Sequence, residues 1–304
     1  MMTSGTAIRQ GFSLARRART GVWILFFANL GLAALASYPI YRGVRAFTGH
    51  SMMSEQLATG FSFDWLTDFA VNNPGSLERY ATAIVILGLL SILAQSVLAG
   101  GVVASFREPS FHSPADFFRD CRRYGWRLVR LMIIGLIGYW LAFRLLNEGL
   151  GSLADRWTRQ WLDDRPVFWV KLVPSALTLV GLIFVNLVMD FARVRLVMLE
   201  GASAIEAFLA SLGFSLTRMR RAIVVYAVPS LGGIALLGLY LLVWPQARHI
   251  ANAPSGAQIR QPLALAMLFL GQQVITLARY WLRVATWGGE WAFYAASQGT
   301  GTGN

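Results

Sequence analysis

The chain has 304 residues, of which 56% are hydrophobic and only 14% charged. Soluble domains carry about 25% charged residues, so this chain lacks the polar surface needed to cover itself in water. Its net charge of +12 would suit nucleic-acid binding, but the basic residues fall between long apolar runs, which is the pattern of membrane proteins with basic cytoplasmic loops. Cys121 is the only cysteine, so no internal disulfide can form, and His50, His112 and His249 are scattered through expected loops. No Cys, His, Asp or Glu cluster has metal-ligand spacing, so neither a metal nor a cofactor is expected.

A helix needs about 20 mostly apolar residues to cross the hydrocarbon core. Six stretches qualify, at 21–41, 81–106, 126–147, 168–190, 222–244 and 262–287. Unpaired backbone groups are not tolerated in lipid, so all six are predicted as helices. The fold class is therefore all-α: a polytopic membrane helix bundle with six transmembrane helices, forming one integral membrane domain over 1–296 with a disordered tail over 297–304. Aromatic residues near the ends, such as Tyr38, Tyr41, Tyr240 and Trp244, suit interfacial belts.

One side of the membrane would hold residues 1–20, 107–130, 190–221 and 279–304, with 17 basic and 7 acidic residues. The other side would hold 42–79, 144–171 and 246–261, with 10 basic and 8 acidic residues. The more basic side is predicted to be cytoplasmic, which puts both termini inside. The arginines at the start, the apolar run after them and Ala34-Leu35-Ala36 also fit a cleaved secretory signal. Against this, the leader is long and the run continues to an aromatic end.

A basic phrase recurs. GFSLARRART at 11–20 and GFSLTRMRR at 213–221 both lead into apolar runs, and a looser copy, ADFFRDCRRYGWR, starts at 115. Arg17, Arg122 and Arg220 are spaced by about one hundred residues. The chain thus reads as three parallel units, each an amphipathic cytoplasmic segment followed by two spanning helices. Before the fifth span, Ile205, Phe208, Leu209, Leu212 and Leu216 share one helix face, and Ser203 with Glu206 has capping-box spacing. Such a helix should lie in the interface. Ser113, Pro114 and Asp116 mark a similar start before the third span.

Polar residues within spans are the first place to seek function. Asp190 ends the fourth span with Arg193 three residues on, which suits either a relay or gate, or a salt bridge anchoring the helix. Asn186, Gln272 and Gln273 could line a polar pathway or bond neighbouring helices. Arg122, Arg123, Arg193, Arg195, Arg220, Arg221, Arg279 and Arg283 are candidates for lipid headgroups or a partner interface. Ser96, Gly100, Gly101, Ala104 and Ser105 give the second span a small-residue face for close helix contact. No nucleophile elbow, phosphate loop or zinc-protease pair occurs, so no catalytic residue is assigned.

The phrase DFARVRLVMLEGASAIEAFLAS, with its acid, basic cluster and short helix, resembles bacterial six-helix inner-membrane proteins similar to the membrane domain of glycerophosphodiester phosphodiesterases. The resemblance covers about 180–245 and corresponds here to Asp190, Arg193, Arg195 and the helix near 203–217. It implies a multi-pass protein of the bacterial inner membrane, and no phosphodiesterase domain accompanies it. Two functions fit: a non-catalytic scaffold or accessory subunit of a membrane complex, or a carrier or permease for a lipid or small solute. Membrane lipids and other membrane proteins are the expected partners, and nucleic acid is not.

Overall fold

A computed structural model describes residues 2–48, 63–107, 113–161, 163–251 and 260–299. Among the described residues all regular structure is helical. The helices are α1 (Ser4–Arg17), α2 (Arg19–Thr48), α3 (Phe63–Asn72), α4 (Ser76–Ala104), α5 (Pro114–Ala142), α6 (Leu150–Thr158), α7 (Asp164–Met198), α8 (Ala204–Thr217), α9 (Met219–Ala251) and α10 (Arg260–Gly299). A π-helical stretch, Phe143–Gly149, joins α5 to α6 without a break.

Five of these segments are long and apolar enough to cross a membrane: α2, α4, the continuous run through α5 and α6, α7, and α9. Their outer faces are apolar, with Ile86 and Leu89 exposed on α4 and Val173 and Val180 on α7. Water cannot solvate that much contiguous apolar surface, so the protein is membrane-embedded. The expected sixth span lies in α10, which is not among the five. Gln272, Gln273, Arg279 and Arg283 lower the hydropathy of its described part.

The chain divides into two compact units. The first holds residues 1–21, 96–232 and 281–304; the second holds 22–95 and 233–280. In the first, α7 packs on α5, the π-helical stretch, α6 and α8. Residues 187–192 of α7 are all buried, as expected of a helix surrounded by others. In the second unit, Phe69 of α3 meets Phe47 of α2 edge to face at 5.2 Å and stacks on Tyr80 of α4 at 6.3 Å. The turn from α3 to α4 uses Gly75 at φ 76°, a conformation that disfavours any residue with a Cβ.

Two short helices of the first unit share one plan. In α1 the Thr3 hydroxyl accepts the Thr6 N–H at 3.3 Å, and in α8 the Ser203 hydroxyl accepts the Glu206 N–H at 3.1 Å. Each thereby satisfies a donor left over at a helix start. Small residues four apart are buried in both: Ala7, Gly11 and Ala15 in α1, and Ala207, Ser211 and Ser215 in α8. The chain then breaks at Ala18 and Arg218, whose N–H groups bond Leu14 O and Phe214 O, and a long helix follows.

Counted from the caps, Gly11 therefore corresponds to Ser211. The phrase GFSL aligns it with Gly213, two residues out of step. The start of α5 follows the same spacing, with Ser113 accepting the Asp116 N–H at 3.2 Å and Phe117, Cys121 and Gly125 buried. It differs from the expected plan in running straight into the third span, because no break interrupts α5 before Ala142.

The small faces set how closely helices meet. A Cβ on Gly11 would lie 2.4 Å from Ala285 O and 2.6 Å from Gly289 N, so α1 and α10 touch backbone to backbone. On α4, Gly100 and Gly101 receive Leu128, Cys121 and Phe117 of α5, as the small-residue face predicts. Other expectations change. Residues 144–158 are helical, not loop, and so is the backbone at His249. Pro174 sits inside α7, where the Thr178 hydroxyl bonds its carbonyl at 2.7 Å. Ser297 and Gln298, expected in the tail, are helical and both bond Tyr294. His50, His112 and residues 300–304 lie outside the described residues.

The register of the two short helices yields a paired test. Gly11→Ala should destabilise the protein by about 1–3 kcal/mol, because backbone atoms cannot yield to the new methyl. Gly213→Ala has open space around it and should be neutral or stabilising by up to about 1 kcal/mol, the helix preference for alanine. Thermal unfolding in detergent, followed by tryptophan fluorescence, compares the two. Equal losses would restore the register given by the phrase.

Candidate functional site

Asp190 lies near the end of α7, wholly buried. Its Oδ1 accepts from three donors: an Arg193 guanidinium nitrogen at 2.5 Å, an Arg283 nitrogen at 3.0 Å and the Trp287 indole at 3.2 Å. Arg193 reaches it from one turn along α7, as the spacing predicts. Arg283 and Trp287 come from α10, four residues apart on one face, with the Arg283 guanidinium 5.2 Å from the indole centroid. Charge-assisted bonds of this kind are about twice as strong as neutral ones. Here they fasten α7 to α10 inside the first unit.

A neutral chain extends from this centre. Tyr139 of α5 donates to Asn186 Oδ1 at 3.0 Å, and the Asn186 amide donates to the Tyr226 hydroxyl of α9 at 2.5 Å. Together with the Asp190 contacts, these bonds tie α5, α9 and α10 to α7. An aromatic cluster closes beside it, with Phe214 of α8 5.3 Å from Phe191 and 5.7 Å from Phe293. Arg195 donates to the Tyr294 hydroxyl at 2.6 Å and approaches Glu206 at 3.7 Å.

A second charged centre caps α7. Arg107 bonds Glu200 Oε1 at 2.8 Å, and it also bonds the Val197 and Met198 carbonyls. Arg123 bonds Glu200 Oε2 at 2.9 Å, and Arg127 bonds the Glu200 carbonyl. The carbonyls at a helix end lack partners within the helix, and these arginines supply them. The hydrogen bond from Arg107 and the charge of Arg123 hold the Glu200 carboxyl below the usual carboxylate range. A folded-state value lower than the unfolded one means that this clamp contributes above the unfolded value. The contribution is lost as pH falls through the folded one.

The site residues expected from sequence separate into groups. Asn186, Asp190, Arg193, Arg195 and Arg283 come together in the first unit. Arg193 and Arg283 keep only 17% and 32% of their side-chain surface. These two and Arg195 turn inward to partners within this chain; the expectation was lipid headgroups or a partner interface, with a salt bridge to Asp190 as the other reading of Arg193. Arg123 is committed to Glu200. Arg122, Arg220 and Arg221 are exposed. Gln272, Gln273 and Arg279 belong to the second unit, where Gln272 and Arg279 are exposed.

Sequence reasoning assigned no role to Glu290, Trp287, Tyr139, Tyr226 or Glu200. A usable signal existed for Glu290: Glu290-Trp291-Ala292 repeats the acid, aromatic, alanine order of Asp190-Phe191-Ala192. Among the described residues no group of three or more His, Cys, Asp or Glu could hold a metal ion. An open hollow of about 310 Å³ lies apart from Asp190, lined by Arg130, Ile133, Ile134, Ser203, Ala204 and Ile205.

Asp190→Ala should cost about 3–5 kcal/mol, the usual loss when one member of a buried ion pair is removed. Asn186→Ala should cost less, near the 0.6–1.7 kcal/mol of interhelical hydrogen bonds in membranes. Arg279→Ala should lie within error of wild type. The order of the three melting temperatures in detergent checks the assignment, and no family model, curated protein or solved structure matches the chain.

Proposed function

We propose that this chain is a non-catalytic scaffold or accessory subunit of a bacterial inner-membrane complex, with six spans, three parallel units and both termini in the cytoplasm. The observation that carries the reading is how the polar groups near the span ends are used. Asp190 takes three donors at one oxygen, and Asn186 is held between two tyrosines. A carrier or permease needs polar side chains free to meet a solute. These ones are engaged in joining helices.

Several features support the architecture. Thr3, Ser113 and Ser203 each cap a helix with a side-chain oxygen, and residues four, eight and twelve positions later are buried in each case. Two long helical passages follow each cap, which favours three units of one design. Arg9, Arg16 and Arg17 are exposed on α1, as are Arg122 on α5 and Arg220 after α8. This supports a cytoplasmic location for that side. The resemblance to the membrane domain of glycerophosphodiester phosphodiesterases is carried over here as a membrane role without hydrolysis.

Partner docking fits the exposed apolar stripe of α8, where Ile205, Leu209 and Leu216 face outward. Native mass spectrometry after mild detergent extraction tests the proposal. The expected outcome is a protein partner at fixed stoichiometry that survives Asp190→Asn and is lost when Ile205 and Leu209 are both changed to Lys. A small molecule or lipid bound at fixed stoichiometry and lost in Asp190→Asn, with no protein partner, would establish the carrier reading instead.

A further inference from the structure

Glu290 is wholly buried in α10, and neither of its carboxyl oxygens has a hydrogen-bond partner. The second oxygen of Asp190, Oδ2, is also buried without one. Glu290 follows Trp287 by three residues and Arg283 by seven, so it belongs to the helix face that these two present to Asp190. Three buried carboxylate oxygens without donors therefore occur beside two arginines that both spend their contacts on Asp190 Oδ1.

Gly289 beside Glu290 fits against Val225 of α9 and the backbone of Ala7 in α1. The ionisable groups that act on Glu290 are Asp190 and Arg193 from α7 and Arg283 from α10. The buried face of α1 presents Ala7, Gly11 and Ala15, and that of α8 presents Ala207 with the Ser211 and Ser215 hydroxyls, neither of which bonds Glu290. An ionised carboxylate sealed from water with no donor at either oxygen is very costly, and the charge of Asp190 opposes a second negative charge next to it.

We propose that Glu290 is a proton-binding site: in the folded protein it is a carboxylic acid. The added proton turns Glu290 from an acceptor without donors into a donor, and it relieves the repulsion. Arg193 and Arg283 keep some contact with solvent, so their remaining positive charge is not sealed in with the two carboxyls. The inference is independent of the scaffold reading.

The proton gives a pH dependence of definite sign. The folded chain holds a proton that the unfolded chain releases, so stability falls as pH rises. Infrared difference spectroscopy of the full chain in nanodiscs tests this through the carbonyl band of a protonated carboxyl, which moves in heavy water. At neutral pH the wild type should show such a band. Glu290→Gln should lose it, and its melting temperature should decline less than that of wild type toward alkaline pH. Absence of the band in wild type, or its survival in Glu290→Gln, overturns the proposal. If Glu290→Gln does not fold, Glu290→Asp replaces it: a shifted carbonyl frequency supports the assignment, and an unmoved band overturns it.

Discussion

The first unit depends on keeping the Asp190 charge out of water and still solvated. A carboxylate at that depth needs donors from more than its own helix. Arg193 comes from α7, and Arg283 and Trp287 come from α10. The positions of these donors fix the rotation of α10 about its axis, since only one face can present Arg283 and Trp287 together. Once that face is set, Gly288 and Gly289 fall toward α1, and Phe293 and Tyr294 fall toward Phe214 of α8. Apolar packing alone would leave α10 free to turn, because lipid tails are as good a solvent for leucine as another helix is.

Close packing then follows from small residues more than from large ones. Ala7, Gly11 and Ala15 let α1 reach the backbone of α10, and Gly100 and Gly101 let α4 receive Phe117, Cys121 and Leu128. Each contact gains dispersion energy over many atom pairs, none of it requiring water to be expelled. At Thr3, Ser113 and Ser203 a side-chain oxygen takes one of the N–H groups left free at a helix start.

The helical class was legible because a span is a long signal, and the caps at Ser113 and Ser203 were legible because their donors lie three residues away. The pairing of Asp190 with Arg193 was readable for the same local reason. Arg283 was not, because its contact to Asp190 spans 93 residues and depends on how α10 is rotated. Snorkelling is the natural reading of an arginine near a span end until an inward acid is known. Glu290 was passed over because one acid among glycines and aromatics has no local partner to betray it, and the lack of a partner is what makes it chemically interesting. The repeated phrase and the caps give registers two positions apart: the phrase sets Gly11 against the exposed Gly213, and the caps set it against the buried Ser211.

The short helices also show that an apolar stripe has a different meaning here than in a soluble protein. The stripe Ile205, Phe208, Leu209, Leu212 and Leu216 is expected to lie in the membrane interface. Ile205, Leu209 and Leu216 are exposed, and Ala207, Ser211 and Ser215 are buried. In water the apolar face must turn inward. Near lipid it can turn outward without cost, and the small face is left to approach neighbouring helices. α1 confirms that inward packing and outward chemistry are set separately. It buries Ala7, Gly11 and Ala15 at the same spacing, yet its outer face carries Arg9, Gln10, Arg16 and Arg17. Two helices with one packing plan thus carry outer faces of opposite character, α8 an apolar one and α1 a basic and polar one.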